Sequence, residues 1–385
     1  MKIIKGLVFN EAGEFSKGDI ATSSDSITDV IFDSAECNRN TQTIKDESII
    51  DASGLYVIPG LIDIHLHGSI GHDFCSCDES GIKQIVDYEL RNGITSICPT
   101  TMTLAEDDLV RIVRTISRAK LEGLEEIVGI NMEGPFISHK KRAAQDESFI
   151  KNPDLDMFDR IYEASGGLIR LCDIAPELEG SMEFIKSIKS KVHVSLAHTA
   201  CDYDTALEAF NSGADHVTHM FNAMNVLHHR DTGVLGAASD SDGIFVELIG
   251  DGIHVSAPAV RLLYKILGTD RVVLVSDSME ATGMSDGEYS LGGQSVIKKG
   301  KVAVIEGTDT LAGSVNNLLD ILRIVIKKMN IPIEDAIKSV TFNPARSIGI
   351  YHERGSVSVG KKADIVMINK DIELVHVIKG GELIF

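Results

Sequence analysis

The chain has 385 residues, 43% hydrophobic and 24% charged, enough to bury a large core and to build one barrel with a small second domain. Its formal net charge of −20 at pH 7 excludes nucleic acid as a partner, because nothing here neutralises a row of phosphates. The acidity is read as an aid to solubility, and it leaves room for a small anion held by a few local cations.

In chain order, residues 1–56 carry short alternating runs at 2–9, 27–32 and 48–51, broken by Gly, Asn, Asp and Ser. Eight apolar runs of strand length follow at 57–64, 94–98, 127–132, 168–174, 192–197, 215–218, 244–249 and 272–276. Between them, stretches such as 81–91, 104–121, 182–189, 204–211 and 257–267 repeat apolar positions at helical spacing. Continuously apolar strands alternating with helices predict a parallel sheet covered on both faces, and eight such units predict a (β/α)8 TIM barrel. The tail, 363–384, holds two or three more short strands, including 364–369. Neither end could bury a sheet face alone, so both are expected to join in one small β-sandwich domain. The expected division is 1–56 and 346–385 for that domain, with the barrel, 57–345, inserted between them.

The opening MKIIKGLVFN is too short an apolar stretch for a signal peptide. No run approaches the about 18 apolar residues of a membrane span. The six cysteines, Cys37, Cys75, Cys77, Cys98, Cys172 and Cys201, form no CxxC pair, and a reducing cytoplasm is the expected location. Cys75 and Cys77 follow a histidine pair but are assigned no role.

The chemistry lies where the apolar runs end. His65 and His67 stand two apart at the end of the first run, so both imidazoles face the barrel mouth. Glu133 ends the third run before Gly-Pro; His198 and His219 close the fifth and sixth; Asp277 ends the eighth. Gathered at one rim, neutral imidazoles and carboxylates suit a divalent metal. Such a metal lowers the pKa of water towards neutrality and polarises a carbonyl. Asp277 is then placed to take a proton from water and pass it to a leaving nitrogen. An N-cap is the ordinary alternative for such an Asp. His193 and His216, earlier on their strands, are read as packed or surface residues, Met220 and Phe221 as packing, and Lys140, Lys141 and Arg142 as a solvated loop. No GxSxG is present. These residues predict hydrolysis of an amide-like bond.

The stretches PGLIDIHLHG (59–68), MEGPF (132–136), LAHT (196–199), THMFNAMNVLHHR (218–230), DGIH (251–254), SDSMEATG (276–283), LAGS (311–314) and NPAR (343–346) carry a resemblance that runs over nearly the whole length. The chain resembles the N-acetylglucosamine-6-phosphate deacetylase branch of the amidohydrolase superfamily. MEGPF, HMFNAM and LAGS are specific to that branch, whereas HxH is shared with dihydroorotases and hydantoinases. Those relatives usually bridge two metals with a carboxylated lysine from the fourth strand; here that strand ends at Ile174 before Ala-Pro-Glu177, and Glu133 is the natural substitute.

The resemblance implies that Glu133, His198 and His219 hold a constant metal and that His65 and His67 make room for a second, giving one or two divalent ions per subunit. Zn, Fe, Mn and Co suit such ligands alike. It implies that Asn222, Ala223, Arg230 and His229 bind the sugar phosphate, with the arginine reaching in from a neighbouring subunit of a homodimer, and that His254 meets the sugar and the reacting end. Gln145 stands where many members have a histidine that polarises the acetyl carbonyl, so that task falls to Gln145 or the second metal. The implied reaction is deacetylation of N-acetylglucosamine 6-phosphate. A cyclic-amide hydrolase of the dihydroorotase type is the rival, and it should carry the bridging lysine. A catalytically dead scaffold is the other, and it should have lost ligands or base.

Overall fold

A computed structural model describes residues 1–32 and 48–385; Cys37 lies outside them. The strands of the N-terminal part are β1 (Lys2–Phe9), β2 (Phe15–Ser23), β3 (Ser26–Phe32), β4 (Ile49–Asp51) and β5 (Tyr56–Pro59). After β6 (Leu61–Leu66) and a short hairpin of β7 (Gly68–Ser69) and β8 (His72–Asp73), strands and helices alternate. They run α1 (Glu79–Arg91), β9 (Ile94–Pro99), α2 (Glu106–Leu121), β10 (Ile130–Met132), α3 (Leu155–Ala164), β11 (Ile169–Ile174), α4 (Ser181–Ile188) and β12 (His193–Leu196). There follow α5 (Tyr203–Ser212), β13 (His216–Val217), α6 (Gly233–Asp240), β14 (Phe245–Ile249), α7 (Ala257–Leu267) and β15 (Val272–Val275).

Strands β10 to β15 pair in parallel in sequence order, and β6 pairs in parallel with β9. Parallel bridges from Ile97 to Ile127 and from Thr100 to Asn131 join β9 to the β10 edge. Backbone bonds from Asp277 N–H to the His65 carbonyl (2.9 Å) and from His67 N–H to the Ser278 carbonyl (2.7 Å) bring the last strand back to the first. Eight parallel strands thus form the ring that the eight apolar runs predict. Every residue of β6, β9, β10 and β15 is buried, which is why these strands read as unbroken apolar runs rather than as alternation. The helices cover them with one apolar stripe each. In α2 the buried positions are Leu109, Ile112, Val113, Ile116 and Ala119, a spacing of three and four. Asp78, Asp154 and Asp202 cap α1, α3 and α5 by accepting a backbone N–H, and so fix where those helices start.

The run 57–64, expected as one barrel strand, is two. Residues 56–59 form β5 in the sheet of the chain ends, and residues 61–66 form β6 in the barrel, with Gly60 between. A Cβ on Gly60 would lie 2.1 Å from Thr95 Oγ1. Only glycine lets the chain pass from one sheet to the other so closely to β9.

Both ends of the chain do meet. Strands β1 to β5 join β19 (Ile365–Ile368), β20 (Leu374–Lys379) and β21 (Glu382–Leu383) in one eight-stranded sheet, whose path is β21-β20-β19-β5-β1-β2-β3 with β4 beside β1. The sheet bends back on itself: Ile27 N–H donates to Lys361 O (2.9 Å) and Ala363 N–H to Asp25 O (2.7 Å). The bend encloses Ile3, Val8, Ile20, Val57, Ile365 and Met367 in a core separate from that of the barrel. Phe9 ties the sheet to the barrel through Phe342, ring centroids 5.3 Å apart, on α10 (Phe342–Ser347). Beside it, buried Asp364 accepts from Arg354 and Lys379, which also reach Ser96 and the Thr95 carbonyl of β9.

Between β15 and the helices α8 (Leu318–Lys327) and α9 (Ile333–Val340) lies an antiparallel sheet of β16 (Gly287–Leu291), β17 (Gln294–Lys299) and β18 (Val302–Ile305). The sequence pattern does not announce it, because its strands are short and half-exposed.

Candidate metal centre

His65, His67, Glu133, His198, His219 and Asp277 come from five different strand ends and meet at one rim of the barrel. Glu133 is the hub. Its Oε1 lies 3.0 Å from His198 Nε2 and 3.1 Å from His219 Nε2, and those two nitrogens are 3.2 Å apart. On the other side Glu133 stands 3.7 Å from His65 Nε2 and 3.5 Å from His67 Nε2. Asp277 Oδ1 is 3.1 Å from His67 Nε2 and 3.6 Å from His65 Nε2. Two ligand sets of metal-binding span therefore share Glu133: His65, His67, Glu133 and Glu133, His198, His219.

Hydrogen bonds behind the rings decide which nitrogens carry lone pairs. His198 Nδ1 faces the Lys141 carbonyl at 2.9 Å. A carbonyl only accepts, so Nδ1 holds a proton, and in the neutral ring the Nε2 lone pair points to the side where Glu133 stands. His65 Nδ1 faces Glu247 Oε2 at 2.9 Å, and buried His65 Nε2 has no hydrogen-bond partner. With the rings neutral, as a metal requires, the lone pairs of His198 Nε2 and Glu133 Oε1 face each other at 3.0 Å in a buried site. That arrangement is repulsive alone and fits a divalent cation.

Three of these residues hold uncommon backbone geometry. His198 (φ 43°), His219 (φ 27°) and Asp277 (φ 48°) are all left-handed, as are Phe221 (φ 79°) and Ala223 (φ 52°) on the next loop. Each such non-glycine residue costs of order ~1 kcal/mol. In each of the three, the chain turns sharply two residues beyond its strand and aims the side chain across the mouth.

Charge inside the site is finely opposed. Burial would raise the Asp277 pKa, but the hydrogen bond with His67 and the charges of His65 and His67 hold it below the usual range. Burial works the same way on Glu247, where the charge of His65 and hydrogen bonds with His216 and His65 prevail and take it to about 2. Asp173 goes the other way: burial, with Glu133 and Glu247 nearby, raises it well above the carboxylate range.

A cavity of about 230 Å³ opens over this centre. Of the expected substrate residues, Gln145, Asn222, Ala223 and His254 line it. His254 is held by Asp251, 2.7 Å from its Nδ1. Gln145 is committed elsewhere than to a carbonyl: its Nε2 donates to Glu133 Oε2 (2.7 Å) and lies 3.7 Å from Met102 Sδ, while its Oε1 accepts from Thr103 N–H (2.7 Å). Asn222 Nδ2 turns towards the carbonyls of His219 (3.2 Å) and Met220 (3.3 Å). His229 and Arg230 are not brought to the centre of this chain. They line a separate exposed hollow with Asp202 and Tyr203, Arg230 Nη1 lying 2.8 Å from His229 Nε2.

Sequence reasoning missed several residues. Glu247, His65's carboxylate, sits inside apolar strand β14, where an acid within an apolar run was the available signal. His216, read as packed or surface, is buried with Nε2 3.3 Å from Glu247 Oε1. Lys141, in the loop read as solvated, orients His198 through its carbonyl and binds the Met224 carbonyl through Nζ (2.9 Å). Met102 and Leu291 line the cavity from segments that carry no motif, and Leu311 lines it from the LAGS stretch, where the sequence reading gave it no role.

A family model described as the amidohydrolase family matches residues 56–384. The chain belongs to the amidohydrolase family. Among curated amidohydrolase relatives, the N-acetylglucosamine-6-phosphate deacetylase of Bacillus subtilis (strain 168) is 35% identical over 336 residues, 86% of this chain and 84% of the relative. The human N-acetylglucosamine-6-phosphate deacetylase is 32% identical over 349 residues, 87% of this chain and 85% of the relative. Among solved structures, a substituted N-acetyl-D-glucosamine-6-phosphate deacetylase from Mycobacterium smegmatis, in complex with N-acetyl-D-glucosamine-6-phosphate, superposes with a TM-score of 0.92 at 29% identity, over 100% of this amidohydrolase and 98% of that chain.

Proposed function

We propose that this amidohydrolase removes the acetyl group of N-acetylglucosamine 6-phosphate, giving glucosamine 6-phosphate and acetate. The observation that carries this reading is the pair of histidine–carboxylate sets that share Glu133, with Asp277 at their edge and an open cavity above. Glu133, His198 and His219 would hold one divalent ion, and His65 and His67 with Glu133 a second. A divalent ion there would supply Lewis acidity, enough to acidify water and polarise an amide carbonyl. Asp277 takes the proton of the attacking water and returns it to the departing nitrogen, so one carboxylate serves as base and then as acid. His254, buried against Asp251 and facing the cavity, positions the sugar. Gln145 holds Glu133 in register, which leaves carbonyl polarisation to the ions.

The phosphate is assigned to Asn222, Ala223 and a pair, His229 and Arg230, supplied by a second copy of the chain in a homodimer. The pair's distance from the centre of its own chain supports that assignment. The barrel, 57–345, is read as the catalytic domain, and the curled sheet of 1–56 and 346–385 as a small β-sandwich domain, in a cytoplasmic enzyme. No helix among the described residues is long and apolar enough to cross a membrane. The cyclic-amide reading is not favoured: β11 leads into Ala175, Pro176 and Glu177, with no lysine at its end. Purified protein, stripped with a chelator and reloaded with Zn, Fe, Mn or Co, should release acetate from N-acetylglucosamine 6-phosphate only when reloaded. Acetate release that survives complete stripping, or hydrolysis of dihydroorotate in its place, would overturn the proposal.

A further inference from the structure

A second cavity, of about 440 Å³, lies outside the metal centre, where the end of β17 and the turn after it face α8. Its lining collects Lys298, Lys301, Arg323, Lys327 and Lys328 against one acid, Asp320. In a chain with 57 acidic and 37 basic residues, such a lining runs against the whole-molecule field. Five cations held together repel one another, and each tolerates the others only with anions or water close by.

The floor is built rather than merely exposed. Lys298 is 7% exposed, and its ammonium reaches only the carbonyls of Ala281 (2.9 Å) and Met284. A lysine so buried is ordinarily paired with a carboxylate. Asn316, 5% exposed, also lines the cavity, and its side-chain NH2 has no acceptor. A buried amide donor left unsatisfied costs about 1–3 kcal/mol, and an oxygen-rich ligand would remove that cost. At the rim, Arg323 spends one arm on Asp320 (2.6 Å) and its Nε on the Ile372 carbonyl (3.2 Å), while Lys301 and Lys328 are exposed.

We propose that this cavity is a binding site for a small phosphate-bearing molecule, distinct from the substrate site over Glu133. Phosphate suits it for three reasons. Arg323, Lys301 and Lys328 offer charge-assisted donors, while Lys327 is shared with the Lys370 carbonyl and Asp371; Asn316 offers a neutral donor at depth, and the volume admits a phosphorylated metabolite rather than a bare ion alone.

The test is calorimetric titration of the metal-loaded enzyme with inorganic phosphate at constant ionic strength. It compares wild type with Arg230→Ala and with Lys301→Glu/Lys328→Glu. Asn316→Leu, which changes no charge, tests the floor. The expected result is phosphate binding that persists in Arg230→Ala and is weakened at least ~10-fold in the charge-reversed protein, as for lost charge-assisted pairs. A smaller loss is expected in Asn316→Leu, and the KM for the proposed substrate should be unchanged in Lys301→Glu/Lys328→Glu. Wild-type affinity in the charge-reversed protein overturns the site. So does loss of all binding in Arg230→Ala, because the phosphate would then sit at the substrate site. Heats that sodium chloride reproduces at the same ionic strength also overturn it, since they would report screening alone.

Discussion

At the scale of single residues, the site divides labour between side chains that look alike in the sequence. Asp277 and Glu133 both end apolar strands, yet Glu133 is the shared hub of four histidines while Asp277 touches only the His65–His67 side. If Asp277 carries both proton transfers, its loss should fall on turnover rather than on binding. Asp277→Asn should lower kcat at least ~10²-fold with KM little changed; steady-state acetate release measures both, and near-normal kcat would remove Asp277 from the chemistry. The two ligand sets should also separate. Glu133→Gln weakens both, so bound metal and activity should fall together. His65→Asn spares Glu133, His198 and His219, so metal analysis should still find about one ion per chain by the logic of a retained three-ligand set. Loss of all metal on that change would show that the ranking of the two sets is reversed.

At the scale of elements, strand ends place the ligands and loops aim them. The loop after β15 is braced by the segment 311–314: Ser314 N–H donates to the Asp277 carbonyl at 2.7 Å, and a Cβ on Gly313 (φ 64°) would stand 2.9 Å from that same oxygen. Gly313→Ala should therefore displace Asp277 while leaving the metal ligands of the other loops in place. Misplacement on the ångström scale costs up to ~10²-fold in rate. The expected outcome is a kcat reduced by about tenfold or more with metal content unchanged; wild-type turnover would show that the loop yields harmlessly. The eight barrel strands and their helices were legible because continuous apolar runs alternating with three-and-four spacing have one common solution, the covered parallel sheet. Gly60 and the β16–β18 sheet were not. A single glycine within an apolar run does not say which sheet each half will join, and short half-exposed strands carry little hydrophobic signal.

At the scale of the whole molecule, the question is whether one chain makes a complete site. Arg230 lies outside the central cavity of its own chain. Mixing Arg230→Ala with Asp277→Asn and allowing subunit exchange tests the shared site. A hybrid dimer regains one intact site only if Arg230 acts in trans. Recovered activity is the expected result; its absence in hybrids verified by mass spectrometry would return Arg230 to its own subunit.

By itself, the sequence determined the chemistry and the barrel. Ligand types at strand ends, a carboxylate at the last strand and an unbroken alternation of strand and helix are local properties, written in residues within a few positions of one another. It also determined that both chain ends would unite, since neither could bury a sheet face alone. The tertiary structure decided what depends on residues far apart in the chain: that Glu133 serves both histidine sets, that Glu247 and the Lys141 carbonyl select the tautomers of His65 and His198, and that Gln145 holds Glu133. It also decided that five cations gather beside α8 in an acidic chain. Those relations span from 12 residues, between Glu133 and Gln145, to 182, between His65 and Glu247. No periodicity encodes such pairs; closing the barrel brings them within hydrogen-bonding reach.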